Sequence, residues 1–382
     1  MRTVHLSVIN DVFTDQRVNK MAQTLNAMGF DVYITGVKRK HSKAYSPGYA
    51  RVRRIPMLFH RKFLFYAEYN LKLFFHLLFN RYDLLVSNDL DTLLPNHLAA
   101  LLRRKPLVYD AHEYFTGTPE VVSRPLVHRF WKTLEKILFP RQQTIITVNH
   151  SMAALYGSEY GKKLHVVRNL PRYKAPRGCI PADELSLPSE KDIILLQGSG
   201  INIDRGAEEL VMAMRPEYGL KHVLLLIIGA GDVVPKLKTM VKKEGLHDRV
   251  WFLDKMSPES LHEYTIHAKI GASLDKDSNL NYRFSLPNKL FDYMMAGVPQ
   301  LTTRLPEVEA VITKYNTGML IRNHDPAHIA QCIGEMLADK NRWNTWHQNS
   351  LNAAKELCWE NEEKTVRDIY KRFLPSRPAI VR

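Results

Sequence analysis

The sequence predicts an α/β protein built from two doubly wound units, each a parallel sheet covered by helices. Strand-like apolar runs alternate with helical stretches along the chain, and this pattern stops once, near residues 171–187, before it restarts. Polar residues collect directly after several of the strands. A chain of 382 residues is also long for one domain. We therefore expect two domains.

The first predicted domain covers residues 1–171. Its opening helix follows a strand and a short polar loop, and Gly29 ends that helix before the next strand begins. The predicted elements are a strand at 4–9, a helix at 17–28, and strands at 31–37, 84–86, 107–109 and 144–148.

The stretch Pro171–Leu187 lacks periodicity and is rich in prolines and charges, so we assign residues 172–191 as a linker. The second domain follows at 192–358. Its predicted strands lie at 192–198, 222–232, 249–254 and 269–274, and its predicted helices at 207–214, 235–244 and 258–267. A C-terminal segment, 359–382, carries one more predicted helix at about 360–373, and the sequence does not indicate where that helix docks.

The net charge of +15 is unevenly distributed. Residues 1–171 contain 25 Lys and Arg against 12 Asp and Glu, whereas the rest of the chain contains 29 against 27. The excess charge of the first domain indicates an anionic partner for it, either nucleic acid or a phospholipid surface.

Several classes of protein are disfavoured by the sequence. No apolar run approaches the roughly 18 residues that indicate a membrane span, and the N-terminus lacks the apolar core of a signal peptide. The three cysteines are widely spaced and lack metal-ligand partners. We expect a cytoplasmic protein with reduced thiols.

Residues 51–82 contain seven Lys and Arg, one Glu and nine Phe and Tyr. A basic, aromatic-rich helix can lie in the headgroup layer of an anionic membrane. The same composition also suits an ordinary helix that packs on the first sheet with its basic residues in water. Both interpretations remain open from the sequence.

Two glycine-rich loops follow strands of the second domain. The first holds Gly198, Gly200, Asn202 and Arg205 at the start of a helix, and the second is IGAGD at 228–232. Small residues let the backbone approach a ligand, and free amides with a guanidinium suit a phosphate. A single glycine-rich turn is more often structural than ligand-binding. Two such turns together with a third polar loop at the same edge of the sheet favour a phosphate site.

That third loop leads into the stretch SLPNKLFDYMMAGVP at 285–299, which predicts a short helix capped by Ser285 and ended by Gly297. Lys289 in its first turn faces the positive end of the helix dipole, where a cation is unfavourable. Either Lys289 neutralises a bound anion, or it forms an ion pair with Asp292 three residues on. Asp292 could accept hydrogen bonds from a ribose, which would complete a nucleotide site.

In the first domain, a strand ends in Asp110, His112 and Glu113. Three ionisable groups within four residues at the carboxyl end of a strand indicate a ligand site. The loops at 10–17 and 87–92 supply further polar residues after two neighbouring strands.

The ordered set of motifs resembles the retaining glycosyltransferases of the GT-B fold, particularly glycosyltransferase family 4 and its relatives. The similarity runs through TDQRV, VYDAHEYFTG, ITVNHSMAALYG, VVRNLP, LLLIIGAGD, DRVWFL, SLPNKLFDYMMAGVPQL and YNTGMLI, in order along nearly the whole chain. The resemblance implies two Rossmann-like domains that face each other across a cleft. It also implies a nucleotide-sugar donor held by the second domain, an acceptor held by the first, retention of the anomeric configuration and no metal.

The resemblance assigns roles to individual residues. Arg205 and Lys289 would hold the donor diphosphate, Asp292 the ribose, and the backbone near Lys255 and Met256 the base. His112, Arg205 and Lys289 are the implied catalytic residues. The implied donor-binding set is Gly198, Gly200, Asn202, Arg205, Lys255, Met256, Leu286, Lys289 and Asp292, and the implied acceptor or cleft-lining set is Thr14, Asp15, Arg17, Asp89 and Glu113.

The chain departs from the family pattern at two places. The first acid of the E-x7-E signature would fall at Phe284 and is absent, while the second is shortened to Asp292. The Arg/Lys pair of the first loop of the second domain is reduced to Arg205.

The resemblance predicts transfer of a sugar to a hydroxyl of a glycan or lipid-linked acceptor, in bacterial surface polysaccharide or lipopolysaccharide assembly. Such an enzyme would be cytoplasmic and could bind the inner face of the membrane peripherally. Two alternatives from the residues are a basic nucleic-acid-binding protein, for which no zinc spacing or RNA-recognition signature is present, and a nucleotide-sugar epimerase of the same fold.

Overall fold

A computed structural model describes residues 1–40, 42, 44–175 and 178–375, with Lys62 described only in its backbone. The described chain forms two compact units, one made of Met1–Asn169 with the segment from Trp359 onward, the other of Leu170–Cys358. The predicted linker at 172–191 and the predicted tail at 359–382 lie partly outside the described residues.

Each unit contains one sheet in which all recorded strand pairs are parallel, and the sheets have seven and six strands. This confirms the predicted α/β fold class. The strands are β1 (Thr3–Ser7), β2 (Asp31–Lys38), β3 (Arg51–Pro56), β4 (Leu84–Asn88), β5 (Leu107–Ala111), β6 (Thr144–Thr147), β7 (His165–Val166), β8 (Asp192–Gly198), β9 (Val223–Gly229), β10 (Val250–Leu253), β11 (Ala268–Ser273), β12 (Gln300–Thr303) and β13 (Gly318–Ile321).

The helices cover both units. They are α1 (Gln16–Ala27), α2 (Lys62–Phe79), α3 (Leu93–Arg103), α4 (Pro119–Val122), α5 (Pro125–Leu138), α6 (His150–Tyr160), α7 (Ala207–Met212), α8 (Val234–Lys243), α9 (Pro258–Ile266), α10 (Leu280–Arg283), α11 (Asn288–Met295), α12 (Pro306–Tyr315), α13 (Pro326–Ala338), α14 (Lys340–Glu356) and α15 (Trp359–Tyr370).

The predicted elements are present, with ends shifted by a few residues. Both interpretations of the basic segment 51–82 treated it as a helix. Residues 51–56 instead form the edge strand β3, and the helical part of the segment is α2. β3 pairs with β2 along one side, and its exposed residues alternate with half-buried ones and the buried Ile55. The strands β7, β12 and β13 also have no counterpart among the predicted strands.

The C-terminal helix α15 packs against α1 within the first unit. The indole Nε1 of Trp359 donates to Oγ1 of Thr24 at 3.1 Å, and both side chains are buried. Val366, Ile369 and Tyr370 lie in the same hydrophobic core as β1 and α1. The docking site that the sequence did not indicate is therefore on the first unit, against α1.

The order of the strands identifies where ligands can bind. The strand orders are β3-β2-β1-β4-β5-β6-β7 and β10-β9-β8-β11-β12-β13. In each sheet the first three strands are added towards one edge, and the later strands are added on the opposite side of the first strand. The switch point lies between β1 and β4 in the first sheet and between β8 and β11 in the second. At such a switch point the loops diverge and leave a crevice beyond the carboxyl ends of the strands. Each unit therefore has one predicted crevice, and the loops that follow these strands form its walls.

Candidate functional site

Lys289 is the second residue of α11, but the cap of this helix differs from the prediction. Pro287 occupies the N-cap position and no side chain caps the helix. Ser285, expected to be the cap, instead donates its hydroxyl to the carbonyl of Tyr282 at 2.9 Å. A proline at the N-cap has no side-chain oxygen to offer, so the positive end of the helix is left without a side-chain partner.

The anion next to Lys289 is Asp275, which follows β11. Nζ of Lys289 lies 3.6 Å from Oδ1 of Asp275, whereas Asp292, the partner considered from the sequence, accepts a hydrogen bond from Gln197. The side chains of Lys289 and Asp275 are 13% and 1% exposed. Burial, together with the nearby charge of Arg205, lowers the pKa of Lys289, and Asp275 opposes that shift.

Arg205 reaches the same carboxylate from the loop after β8. Its Nη1 donates to Oδ2 of Asp275 at 2.8 Å, and its guanidinium carbon lies 4.2 Å from the centroid of the Tyr282 ring. Asp275 thus holds two cations, one from each side of the switch point between β8 and β11. Two cations and one carboxylate leave a net positive charge, which favours a multiply charged anion.

The glycine-rich loops of this unit are packed closely against each other. A Cβ on Gly229 would lie 1.8 Å from the carbonyl oxygen of Gly198, and one on Gly231 would lie 2.0 Å from that of Ile201. These two glycines therefore serve the contact between the loops. Gly200 has more room, because the nearest atom to its Cβ would be 3.6 Å away on Asn202.

Asn202 takes part in this contact between loops. Its Oδ1 accepts a hydrogen bond from the backbone amide of Asp232 at 3.2 Å, and Oδ1 of Asp232 accepts one from the amide of Ile203 at 3.1 Å. The first loop is thereby tied to the second, which fixes the backbone that leads to Arg205.

Asp292 belongs to a second polar cluster at the same sheet edge. Its Oδ2 accepts a hydrogen bond from Nε2 of Gln197 at 3.1 Å, and Oε1 of Gln197 accepts one from Thr265 at 3.0 Å. Gln197 is 2% exposed, so its amide is held by these two partners. The Asp292 carboxylate is therefore oriented by Gln197 of β8.

The remaining donor-site residues of the prediction are placed as follows. Lys255 and Met256 follow β10; Lys255 is exposed, and Met256 is half-buried against a hydrophobic cluster that includes Leu253 and Tyr264. Leu286 is half-buried and packs beside the core residues of α11 and α12.

In the first unit, Arg17 and Asp110 form a buried ion pair with two hydrogen bonds. Nε and Nη2 of Arg17 donate to the two carboxylate oxygens of Asp110 at 3.0 and 2.7 Å, and Nη1 donates to the carbonyl of Val167 at 2.7 Å. The side chains are 3% and 0% exposed. Burial opposes ionisation of Asp110, but Arg17 holds the pKa of that carboxyl well below its usual range.

His112 lies between two carboxylates at the switch point between β1 and β4. Its backbone amide donates to Oδ1 of Asp89 at 2.7 Å, its Nδ1 is 3.3 Å from Oδ2 of Asp89, and its Nε2 is 3.4 Å from Asp110. Burial disfavours the charged ring, but Asp89 and then Asp110 outweigh it and raise the pKa of His112 to about 9. The two carboxylates around the ring therefore favour its charged form.

Three other residues predicted to bind the acceptor or line the cleft make contacts outside the Arg17, Asp110 and His112 cluster. Thr14 is exposed in the turn before α1, where its hydroxyl donates to the carbonyl of Asp11 at 3.0 Å. Asp15 is the N-cap of α1, and its Oδ1 accepts the amide of Val18 at 3.1 Å. The carbonyl of Glu113 accepts a hydrogen bond from the Tyr156 hydroxyl at 3.1 Å. Of the predicted set, the structure thus brings together Arg17, Asp89 and His112.

Sequence reasoning missed Asp275, Gln197 and Tyr282. A signal for Asp275 was present, because it is an ionisable residue just after the strand β11, as Asp110 is at the end of β5. Tyr282 lies in the four-residue helix α10, which is too short for a periodicity that would predict which side chain reaches Arg205. Among the residues that the structure describes, no three His, Cys, Asp or Glu side chains converge as a metal ion would require.

Two family models match this chain. Residues 15–170 match the model described as Glycosyltransferase Family 4, and residues 191–339 match the model described as Glycosyl transferases group 1. The two matched ranges correspond to the first and second structural units and together include both polar clusters.

Curated relatives match parts of the chain. The D-inositol 3-phosphate glycosyltransferase of Xylanimonas cellulosilytica is 23% identical over 244 residues, which cover 60% of this chain and 55% of the relative. The N-acetyl-alpha-D-glucosaminyl L-malate synthase of Bacillus anthracis is 27% identical over 180 residues, which cover 47% of this chain and 44% of the relative. The chain therefore spans about half the length of these curated relatives.

Solved structures resemble the whole chain. Sucrose-phosphate synthase from Thermosynechococcus elongatus superposes with a TM-score of 0.78 at 16% identity, covering 97% of this chain and 99% of the other. WaaG, a glycosyltransferase involved in lipopolysaccharide biosynthesis, gives 0.74 at 17% identity, covering 96% and 99%. Anabaena HepE in complex with UDP and glucose gives 0.73 at 14% identity, covering 97% and 99%. The solved structures show that the chain has the GT-B fold, and the two family models, which between them match residues 15–170 and 191–339, identify it as a glycosyltransferase of family 4 and its relatives.

Proposed function

We propose that this protein is a retaining glycosyltransferase that moves a sugar from a nucleoside diphosphate sugar to a hydroxyl of a glycan or lipid-linked acceptor, without a metal. The observation that carries the proposal is the pairing of Arg205 and Lys289 through Asp275 at the uncapped start of α11. A diphosphate at this position would meet two cations and the positive end of a helix. Those are the groups that protein sites use to hold phosphates.

The neighbouring cluster suits the rest of a nucleotide. Asp292 is oriented by Gln197 and can accept hydrogen bonds from two ribose hydroxyls. HepE, which shares the fold, was solved with UDP and glucose, and this supports a uridine nucleotide as the first candidate to test. The loop after β10, with Lys255 and Met256, is our candidate for the base contact.

In the proposed reaction the bond between the anomeric carbon and the phosphate oxygen breaks, and a bond from that carbon to the acceptor oxygen forms on the same face. The proton of the acceptor hydroxyl passes to the departing phosphate oxygen. Arg205 and Lys289 stabilise the negative charge that develops on the leaving group. His112, whose two ring nitrogens face Asp89 and Asp110, would lie beside the transferred sugar at the reacting centre.

The donor assignment is tested by thermal denaturation with UDP, GDP, ADP and their sugars. A true donor nucleotide should raise the melting temperature by mass action. Arg205→Ala and Lys289→Ala should each abolish most of that shift. Lys314→Ala is the matched control, because Lys314 is 65% exposed on α12 and pairs with Glu356.

Activity distinguishes transfer from its alternatives. Formation of a glycoside from the stabilising nucleotide sugar, with the anomeric configuration of the donor retained by NMR, would support the proposal. Conversion of the nucleotide sugar to an epimer when no acceptor is present would instead indicate an epimerase. Undiminished turnover in both Arg205→Ala and Lys289→Ala would contradict the assignment of the diphosphate site.

Bacterial surface polysaccharide or lipopolysaccharide assembly is the setting we propose. WaaG is described as acting in lipopolysaccharide biosynthesis and shares the fold of this chain. Screening of lipid-linked and soluble glycan acceptors with the identified donor tests this part separately.

A further inference from the structure

The helix α2 has two apolar faces, of which one is buried in the protein and the other is largely exposed. Its buried side chains recur every four residues and belong to one core cluster. The opposite face also has an apolar side chain every fourth residue, although it is exposed. The buried set is Phe65, Tyr69, Leu73 and Leu77, and the exposed set is Phe63, Ala67, Leu71, Phe75 and Phe79. A helix that lies only between a sheet and water would place polar residues on its outer face.

Two neighbouring helices repeat this feature. On α3 the exposed side chains Leu98, Leu101 and Leu102 are 40%, 67% and 63% accessible. On α5, Leu126, Phe130, Thr133 and Ile137 line one stripe, and with Arg129 and Leu134 they form an open groove of about 360 Å³. Each stripe follows the spacing of a single helix face.

The three helices are in contact, so their stripes belong to one surface. The rings of Phe63 on α2 and Phe130 on α5 meet edge to face with their centroids 6.1 Å apart. Arg103 of α3 donates to the carbonyl of Leu78 of α2. Helix α3 also contacts both α2 and α5. We call the exposed side of α2, α3 and α5, with the preceding residues Leu58 and Phe59, the three-helix face.

The three-helix face concentrates the exposed apolar side chains of the protein. Of the 21 large apolar residues that are exposed in the described part of the chain, 15 lie between Leu58 and Ile137. Single exposed apolar residues are ordinary in monomeric proteins, but a contiguous group of this kind marks a site of interaction.

Charged residues around the three-helix face are almost all basic. Between residues 58 and 141 the exposed charged residues that the structure describes include a single acid, Glu120. Two further acids, Glu68 and Asp83, are paired with Lys72 and Lys105 at 2.5 and 3.1 Å. The exposed cations are Arg61, Arg81, Arg104, Arg124, Arg129, Lys136 and Arg141.

We propose that the three-helix face docks in the plane of a lipid bilayer that contains anionic phospholipids. Apolar stripes flanked by Lys and Arg match the two parts of such a surface, because the side chains enter the acyl boundary and the cations meet the headgroups. None of the described helices has the combination of length and apolarity that crossing a bilayer requires. In the proposed arrangement the three helices lie along the membrane surface. The face is also larger than the sequence segment 51–82 considered for this role, because it includes α3 and α5 and excludes the strand β3.

Docking of this face would also bring the loop after His112, in the same unit, close to the membrane. The loop that follows His112 is tied to α5, since Oγ1 of Thr116 donates to Oε2 of the buried Glu135 at 3.1 Å. A bilayer against α5 therefore holds this loop near the membrane surface, where a lipid-linked molecule would be presented.

The test is co-sedimentation of the full chain with vesicles, in the absence of any nucleotide or acceptor. Vesicles of phosphatidylcholine alone are compared with vesicles that also contain about a third phosphatidylglycerol, at low and at high salt. We expect pelleting with the anionic vesicles at low salt, partial release at high salt and little pelleting with the neutral vesicles.

Two pairs of variants separate the apolar and the charged contributions. The double variant Leu71→Glu and Phe79→Glu should reduce binding at least tenfold, while Ile180→Glu, at an exposed apolar residue of the second unit, should bind as the wild type. The double variant Arg129→Gln and Lys136→Gln should weaken binding to anionic vesicles several-fold. Its control is Lys242→Gln with Lys243→Gln on α8, where two exposed lysines are removed instead.

Three results would overturn the proposal. The first is a wild-type protein that stays in the supernatant with both kinds of vesicle, and the second is vesicle binding that Leu71→Glu with Phe79→Glu does not change. The third is a dimer, or a complex with single-stranded nucleic acid, that these substitutions disrupt while vesicle binding is absent. Because no nucleotide is present, each result is independent of whether the proposed sugar transfer is correct.

Discussion

The carboxylate of Asp89 contacts His112 at both its backbone and its ring. One oxygen accepts the amide of His112 at 2.7 Å and the other lies 3.3 Å from Nδ1. Asp89 has φ 60° and ψ 170°, a conformation that costs a residue with a side chain about 1–3 kcal/mol. The contacts to His112 offset this strain, and strained residues of this kind concentrate at functional sites.

The charge on His112 should make the stability of the protein depend on pH. The folded pKa of about 9 lies above the ordinary value of 6.5. The stabilisation is therefore fully present below pH 6.5 and is lost as the pH rises through 9. From the size of the shift, the loss is on the order of 3 kcal/mol. Urea denaturation of the wild type and of His112→Gln at pH 6 and pH 9.5 measures it.

His60→Gln, which removes an exposed histidine, is the control and should keep the pH dependence of the wild type. NMR titration of the His112 ring gives the pKa directly, and Asp89→Asn should lower it. Equal pH dependence in the wild type and in His112→Gln would show that His112 is not held as the charged form.

Arg17→Lys should destabilise the protein strongly, because lysine cannot make the two parallel hydrogen bonds to Asp110 and leaves that buried carboxylate poorly compensated. Breaking a buried pair costs about 3–5 kcal/mol. The matched control is Arg51→Lys, since Arg51 is 71% exposed beside Asp31 and such a pair contributes less than about 1 kcal/mol. Similar free energies of unfolding for both variants would contradict the structural role assigned to Arg17.

Asp275→Asn should lower the free energy of unfolding of the ligand-free protein and increase the rise in melting temperature that a nucleotide causes. The substitution leaves Lys289 and Arg205 without their shared anion, which should lower stability by about 2–3 kcal/mol. A diphosphate can then replace the missing charge, so the rise in melting temperature caused by UDP should exceed that of the wild type. The comparison is made by thermal denaturation with and without UDP.

Asp277→Asn provides the control for this experiment, because Asp277 is 51% exposed and lies 3.8 Å from Arg283. Its stability and its response to UDP should equal those of the wild type. A smaller UDP response in Asp275→Asn would mean that Asp275 does not compete with the diphosphate and instead aligns the two cations for it.

Gly206→Ala should disrupt the start of α7. Gly206 has φ +69°, and a Cβ there would lie 2.2 Å from the carbonyl oxygen of Leu274. Gly219 has a similar φ of +77° with nothing within 4 Å of its Cβ. Gly219→Ala should therefore cost only the conformational strain, about 1 kcal/mol, and Gly206→Ala about 1–3 kcal/mol more. Equal unfolding free energies for the two variants would show that the β8 and β11 loops are not closely packed.

The sequence predicted most of the strands in both units, because buried parallel strands are continuous apolar runs that differ from polar loops. The short strands β7, β12 and β13 were not predicted. Strand β8 was placed at its observed ends, and the ends of helices α7, α8 and α9 differ by one or two residues from the prediction. The edge strand β3 was missed because edge residues are partly exposed and carry arginines, so their pattern resembles that of the helix that follows.

The candidate site was predicted less completely than the fold. The sequence identified Arg205, Lys289 and His112 from their places at strand and helix ends, and the structure shows what surrounds them. The partner of Lys289 was not the residue one turn away but Asp275, 14 positions earlier in the chain. Likewise Arg17 and Asp110 are far apart in sequence and meet only because β1 and β5 lie in one sheet.

Local patterns alone determined that this chain forms two α/β units and that cations and polar loops gather at the carboxyl ends of their strands. Periodicity and helix ends depend on neighbouring residues, so they can be read without the fold. Pairing of charges, and the exposure of the second apolar face of α2, depend on which segments pack together. Those were decided by the tertiary structure, because burial and distance are set by residues that lie far apart in the sequence.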